Sequence, residues 1–260
     1  MIRSSGALRP LGVHRIPRPG DNSGIDGRSR EQKKADLVDY DKHLARRQEL
    51  MQDFSESYWK DFHELRRNKG KLWHAPTRLF RQEAALYMPN FHGRTLLPDG
   101  KTEDTTTRIR GHAATIVSLF SARFSQEHCE SYTKAMGLDA RQVNVHMEEN
   151  PLKAMLTRLF LGSIRRATLP QLHDSYFLIT NRFDRQFKEA IGLMNSYTGF
   201  VYLVDGECKI RWAACGPADA PEISSLAKGY EKLSPSAHKG VLQTPTDTSP
   251  KHEPTESKTT

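Results

Sequence analysis

The chain has 260 residues, 37% of them hydrophobic, which is enough for one sizeable folded domain with extensions. Its formal net charge of +8 predicts an anionic partner, such as acidic lipid, nucleic acid or an acidic protein surface, without choosing among them. No apolar run has the length of a membrane span, and the three cysteines form no Cys-x-x-Cys pair, which argues against a disulfide framework and favours a reducing compartment.

Residues 1–30 have the composition of a mitochondrial targeting peptide and are predicted to lack regular structure. The first twenty contain four arginines and no acidic residue. However, Pro10, Pro17 and Pro19 would interrupt a targeting helix. A disordered basic N-terminus therefore fits this segment as well as a targeting peptide does.

Residues 31–75 are predicted to form a charged helical arm. The stretch 31–69 contains no glycine or proline, and its apolar residues recur mostly at spacings of three, four or seven, which indicates one or two amphipathic helices. Near the end of the arm, Trp59 combines with Arg66 and Arg67, a mixture of aromatic and basic side chains that suits an anionic interface. The simplest interpretation is a solvated helix packed on the domain, and contact with a membrane surface or a partner helix is the alternative.

Residues 76–233 show strands that alternate with helices. An apolar strand at Thr115–Phe120 is followed by a helix with Ser125 as its predicted N-cap and Gly137 at its end. A strand at Val143–Met147 then precedes a helix that starts at Asn150, an N-cap followed by a first-turn proline. This second helix carries an apolar stripe made of Leu152, Met155, Leu156, Leu159 and Phe160.

The second half of this region continues the alternation. A strand at Tyr176–Thr180 and a short helix lead to a hairpin within Phe200–Gly216, which turns at Asp205-Gly206, and Asp219 begins the last helix. The tail, residues 234–260, is too polar to pack and is predicted to be disordered. The order β-α-β-α-β-α-β-β-α predicts an α/β, thioredoxin-like domain of the peroxiredoxin or TlpA-type layout, with a mixed sheet flanked by helices.

The positions that carry chemistry in redox members of this fold hold other residues here. Two cysteines normally lie where the first central strand meets its helix, because the helix N-terminus lowers the pKa of the first thiol. Matching strand end and helix start places Ser125 and His128 at these positions, while Cys129 falls one residue later on the apolar side of the helix. The usual cis-proline before the final hairpin is also missing, since no proline occurs between Pro170 and Pro217. The domain is therefore predicted to be a binding scaffold with no catalytic, cofactor-binding or metal-binding residues.

The closing strand offers two candidate partner-binding residues, Arg211 and Trp212. An arginine beside a tryptophan near a sheet edge is typical of an interaction hot spot, and a core tryptophan beside a surface arginine is the alternative. With Trp59, Arg66 and Arg67 of the arm, they make up the predicted partner-binding set.

Several segments resemble one known family. They are Pro89–Gly93, Phe120–Ser121, Asn195–Asp205 and Lys209–Ala218, and the sequence Lys-Ile-Arg-Trp-Ala followed by Gly-Pro-Ala is the most specific of them. From about residue 58 to about residue 226, the chain resembles the mitochondrial ATP synthase assembly factors of the thioredoxin-like type, the fungal chaperones of the Fo sector.

The resemblance implies a non-catalytic chaperone that is peripheral to the mitochondrial inner membrane, on its matrix side. Such a protein would bind newly made subunit a, also called subunit 6, and promote its assembly with the ring. The family offers no catalytic residues or cofactor to transfer to this sequence, and nucleic acid is not expected as a partner.

Two other functions stay open at the level of sequence. One is a thiol oxidoreductase or peroxidase that uses Cys129 alone. The other is a basic RNA-binding factor of mitochondrial translation, which draws on the net charge of +8, although no RRM-like or OB-like motif is visible. The sequence also leaves the oligomeric state open.

Overall fold

The computed structural model describes residues 8–24 and 70–234. The strands are β1 (His92–Thr95), β2 (Thr102–Asp104), β3 (Ala114–Phe120), β4 (Gln142–Met147), β5 (Tyr176–Ile179), β6 (Phe200–Asp205) and β7 (Ile210–Cys215). The helices are α1 (Thr105–Ile109), α2 (Arg123–Met136), α3 (Pro151–Leu159), α4 (Leu161–Ala167), α5 (Arg185–Ile191) and α6 (Ala220–Leu233), and a 3₁₀ turn lies at Pro170–Leu172.

The strands form one seven-stranded mixed sheet in the order β2-β1-β5-β4-β3-β6-β7. Strands β3, β4 and β5 run parallel, β6 runs antiparallel to β3, and β7 runs antiparallel to β6. With α2 after β3 and α6 after β7, this is the strand order and direction of a thioredoxin-like domain, and the predicted fold class is confirmed. The hairpin of β1 and β2 was not predicted, because both strands are short and carry mostly polar residues.

Helix α2 follows the strand that the sequence predicted, but it begins earlier than expected. Its first residue is Arg123, so Ser125 is the third helical residue and not the N-cap. The Ser125 hydroxyl accepts hydrogen bonds from the backbone N–H groups of Ser121 at 3.0 Å and Ala122 at 2.9 Å. This serine therefore stabilises the turn that enters the helix. The predicted end at Gly137 is confirmed by its φ of 75°.

Local signals predicted the start of α3 correctly. The Asn150 side chain accepts the N–H groups of Leu152 at 3.0 Å and Lys153 at 3.3 Å, and Pro151 occupies the first helical position, where its missing N–H has no cost. The predicted hairpin is equally local. Asp205 Oδ1 accepts two backbone N–H groups of the turn between β6 and β7, at 2.9 Å and 3.1 Å.

The core lies on both faces of the sheet. All seven residues of β3 are buried, as expected for a central strand covered on two sides. One apolar layer includes Phe91, Phe177 and Tyr202, and the opposite layer includes Tyr132, Trp212 and Leu226. Among the described residues, no helix is both long and apolar enough to cross a membrane.

Residues 8–24 form no helix or strand, but they pack against this domain. The N–H of Gly12 donates to the Ala190 carbonyl at 2.7 Å, and Val13 forms an antiparallel bridge with Tyr87. Leu11 packs on the apolar layer that contains Tyr202. Composition did not reveal this, because the pairing partners are far away in sequence. Residues 25–69, which hold most of the predicted arm, and residues 235–260 lie outside the described residues.

Candidate functional site

The corner where redox relatives of this fold carry their dithiol is closed by packing. Cys129 lies in the second turn of α2 and its side chain is buried. Its Sγ lies 3.6 Å from the Leu119 carbonyl oxygen and 3.5 Å from the Phe200 carbonyl oxygen. Burial raises the pKa of the Cys129 thiol far above its usual range, so that the thiolate is not populated near neutral pH.

The other two cysteines, Cys208 and Cys215, are also buried, and neither forms a disulfide. Burial raises the pKa of Cys215 to about 12, and it raises the pKa of Cys208 as well. The Cys215 Sγ accepts the backbone N–H groups of Leu72 and Trp73, both at 3.3 Å. Each thiol is thus a packing group, because nucleophilic chemistry requires an accessible thiolate.

Gly199 takes the place before β6 where redox relatives have their cis-proline. The described residues contain no cis peptide bond. A Cβ on Gly199 would overlap the carbonyl oxygen of Ser125 and would lie 2.9 Å from both the Cβ of His128 and the Sγ of Cys129. The Gly199 N–H donates to His128 Nδ1 at 3.3 Å, which requires that nitrogen to be unprotonated. Burial, and next the charge of Lys71, lower the pKa of His128, which agrees with a neutral ring.

A buried ion pair fastens residues 70–75 to this corner. The Lys71 ammonium contacts the Glu222 carboxylate, and their side chains are only 11% and 5% exposed. The same carboxylate accepts the Ala75 N–H at 2.9 Å and the Tyr132 hydroxyl at 2.7 Å. Burial alone would raise the pKa of Glu222, but the hydrogen bonds from Ala75, Lys71 and Tyr132 outweigh it and hold the pKa below the usual 4.5.

The same place offers the only side-chain set in the described residues that could share a metal ion. His74, Asp219 and Glu222 bring one ligand atom each to within 4.8 Å of one another. However, the Lys71 ammonium already contacts Glu222 and lies 3.5 Å from Asp219. A cation would have to displace this lysine, so the arrangement is that of an ion-pair network.

The structure corrects the predicted role of Arg211 and Trp212. Trp212 is fully buried, and its Nε1 donates to the Pro76 carbonyl at 2.9 Å. The Arg211 side chain is 12% exposed and donates to the Phe80 carbonyl at 3.0 Å and to Asp205 at 3.1 Å. Trp212 is therefore a core residue with no surface for a partner, and the described contacts of the Arg211 side chain are made within the domain. The other predicted contacts, Trp59, Arg66 and Arg67, lie outside the described residues.

Helix α3 presents an apolar surface whose orientation the sequence did not reveal. The predicted stripe exists, but it points into solvent, and its members are the exposed side chains of Leu152 (70%), Met155 (54%), Leu156 (49%), Leu159 (73%) and Phe160 (62%). We call these five residues the α3 apolar face. The side chain that α3 buries is the small one of Ala154, which is 5% exposed. Exposed apolar surfaces of this kind are typical of interaction sites.

Fold and site together define a thioredoxin-like protein whose cysteines are all buried. The chain belongs to the ATP10 protein family, which matches residues 3–233, and the resemblance seen in the sequence is thereby confirmed. It is similar to the mitochondrial ATPase complex subunit ATP10 of Candida glabrata, with 30% identity, 87% of this chain and 84% of that protein being covered.

A second relative is the mitochondrial ATPase complex subunit ATP10 of Eremothecium gossypii, with 32% identity over 74% of this chain and 74% of that protein. Among solved structures, the chain is similar to a DsbF homologue from Corynebacterium diphtheriae. That likeness has a TM-score of 0.39 and 8% identity, and it covers 59% of this chain and 90% of that chain.

Proposed function

We propose that this protein is a non-catalytic assembly factor of the mitochondrial ATP synthase, peripheral to the matrix side of the inner membrane. It binds newly made subunit a and promotes the assembly of this subunit with the ring. Membership of the ATP10 family supports the link to the ATPase complex. The observation that carries the non-catalytic role is the burial of all three thiols in a fold whose usual chemistry needs an exposed one.

The closed corner explains how such a scaffold could be used for binding. Gly70, which lies near the end of the predicted arm and is the first described residue of it, places its carbonyl oxygen 3.3 Å from the Thr198 hydroxyl, just before β6. The arm therefore joins the domain at the corner that redox relatives use for their substrates. We assign the contact with subunit a to this side, with Trp59, Arg66 and Arg67 as its residues.

The test is a crosslinking pulldown from mitochondria in which the newly made subunits are labelled. We expect the wild-type chain and a Cys129→Ala variant to capture labelled subunit a equally, because the thiol only packs. An Arg66→Glu/Arg67→Glu variant should capture less, and Lys232→Glu, an exposed charge reversal on α6, is its matched control.

Two results would contradict the proposal. If the wild-type chain captures no subunit a, the assignment of the partner fails. If capture proceeds through a mixed disulfide that needs Cys129, the protein acts as a thiol oxidoreductase, the first of the alternatives that the sequence left open.

A further inference from the structure

Helix α3 is amphipathic in the inverted sense. At 3.6 residues per turn, Ala154 lies on the side opposite Leu152 and Leu159. The domain packs against this alanine and leaves the larger side chains in water, although a surface helix ordinarily turns its large apolar residues inward. The nine residues of α3 thus bury little apolar surface against the domain, and their apolar face is exposed to solvent.

Basic side chains flank this surface, and no acidic residue lies on α3 or α4, although Glu148, just before α3, interacts with Lys153. Lys153 and Arg158 lie on α3 about a third of a turn to either side of the apolar face. Both are exposed, as is Arg166 on α4, and Arg158 also donates to the Thr180 hydroxyl at 3.1 Å. No Asp or Glu occurs anywhere in residues 150–172. An apolar stripe bordered by cations is the pattern of a helix that lies in the interface of an anionic bilayer.

We propose that α3 is a membrane-docking helix that inserts its apolar face into the surface of an anionic phospholipid bilayer. Lys153, Arg158 and Arg166 then meet the lipid phosphates. This inference rests on the proposed location at the inner membrane, and it assigns the lipid contact to α3, whereas the sequence suggested residues 31–69 for that role.

Size and charge favour lipid over a protein as the occupant. Nine helical residues are about 14 Å long and about 10 Å wide, far less than the roughly 800 Å² per partner of a stable protein interface. A second copy of the chain would also bring like charges together, because the charged residues of α3 and α4 themselves are all basic. A bilayer needs no matching pocket, and its phosphates complement the flanking charges.

The experiment is a flotation assay of the full chain with two kinds of vesicles, pure phosphatidylcholine and phosphatidylcholine mixed with phosphatidylglycerol. We expect binding to the anionic vesicles that weakens as salt is added. A Leu156→Ser/Leu159→Ser variant should bind at least about tenfold more weakly, because each leucine contributes on the order of 1 kcal/mol or more even when it is only partly inserted. Leu138→Ser is the matched control, since Leu138 is 62% exposed but lies beyond the end of α2, and it should bind like the wild type.

The basic flank is tested in the same assay. A Lys153→Glu/Arg166→Glu variant should bind the anionic vesicles roughly twentyfold more weakly or worse, because each basic group removed lowers the affinity about fivefold. Lys232 is exposed on α6, and the control variant Lys232→Glu should keep most of the vesicle affinity. Since all of these side chains are exposed, the urea midpoint of each variant should match that of the wild type, which shows that the fold is intact.

The outcomes separate this inference from the proposed function. Loss of vesicle binding in the α3 variants, with capture of subunit a retained in the mitochondrial pulldown, supports α3 as the lipid contact. Equal vesicle binding by the wild type and the α3 variants overturns it. If those variants keep vesicle binding but lose subunit a, α3 is a protein-binding surface, so this inference falls while the proposed function stands.

Discussion

Lys71→Met should destabilise the domain strongly, because it removes the charge that compensates the buried Glu222 carboxylate. Breaking a buried ion pair from one side costs about 3–5 kcal/mol. Glu222 would keep its hydrogen bonds from Ala75 and Tyr132, at 2.9 Å and 2.7 Å, so we expect the lower end, about 3 kcal/mol. A double variant, Lys71→Met/Glu222→Gln, should recover much of this loss, since neither charge remains.

Urea unfolding followed by far-ultraviolet circular dichroism measures this effect. With a slope of about 2 kcal/mol per molar urea, the midpoint of Lys71→Met should fall by about 1.5 M. Lys134→Met is the matched control. Lys134 pairs with Glu130 at 2.7 Å, but the two side chains are 76% and 36% exposed, so this exposed pair contributes no more than about 0.5 kcal/mol.

The pH dependence gives a second measure of the same interaction. The pKa of Glu222 is held below 4.5 in the folded protein, so its contribution to stability is complete above the unfolded value and is lost as pH falls through the folded pKa. In Lys71→Met, protonation of Glu222 removes the uncompensated charge, so the difference from the wild type should shrink below about pH 4.5. If Lys71→Met shifts the midpoint no more than Lys134→Met does, or if the shift is independent of pH, the buried ion pair does not fasten residues 70–75 as we argue.

Three further predictions follow from the packing. Gly199→Ala should lower the free energy of unfolding in urea by at least about 2 kcal/mol, because the new Cβ would overlap the Ser125 carbonyl oxygen. Gly162→Ala is the control: no atom lies within 4 Å of its Cβ position, so it should be neutral or slightly stabilising. Equal effects of the two substitutions would contradict the close approach at Gly199. Leu11→Ala should lower the free energy of unfolding by about 1–2 kcal/mol, because Leu11 packs on the core. Ile16→Ala, at an exposed position, should lower it by less than about 0.5 kcal/mol. A neutral Leu11→Ala would mean that residues 8–24 are not part of the folded domain. The three buried cysteines should react with iodoacetamide at least about a hundredfold more slowly in the native chain than in urea, and a thiol that reacts rapidly in the native chain would argue for redox chemistry.

The sequence by itself determined the features that depend on neighbouring residues. The side chain of Asn150 and the ring of Pro151 start α3, and Asp205 shapes the last hairpin, whatever the rest of the chain does. The alternation of strands and helices then restricts the fold, because parallel strands need helical crossovers. The loss of the dithiol was also visible in the sequence, since none of the cysteines falls in the first turn of α2.

Tertiary structure decided everything that depends on residues far apart in the chain. The spacing that gives α3 one apolar face does not say whether that face meets the sheet or water. In the folded domain Ala154 is the buried residue of α3, and the large apolar side chains are exposed. Trp212 became a core residue because Pro76 and Ser225 supply acceptors for its Nε1, at 2.9 Å and 3.1 Å. Residues 8–24 likewise became ordered by pairing with distant partners. Spacing and composition describe local preference, whereas burial is a property of the assembled chain, and the proposed functional surfaces depend on burial.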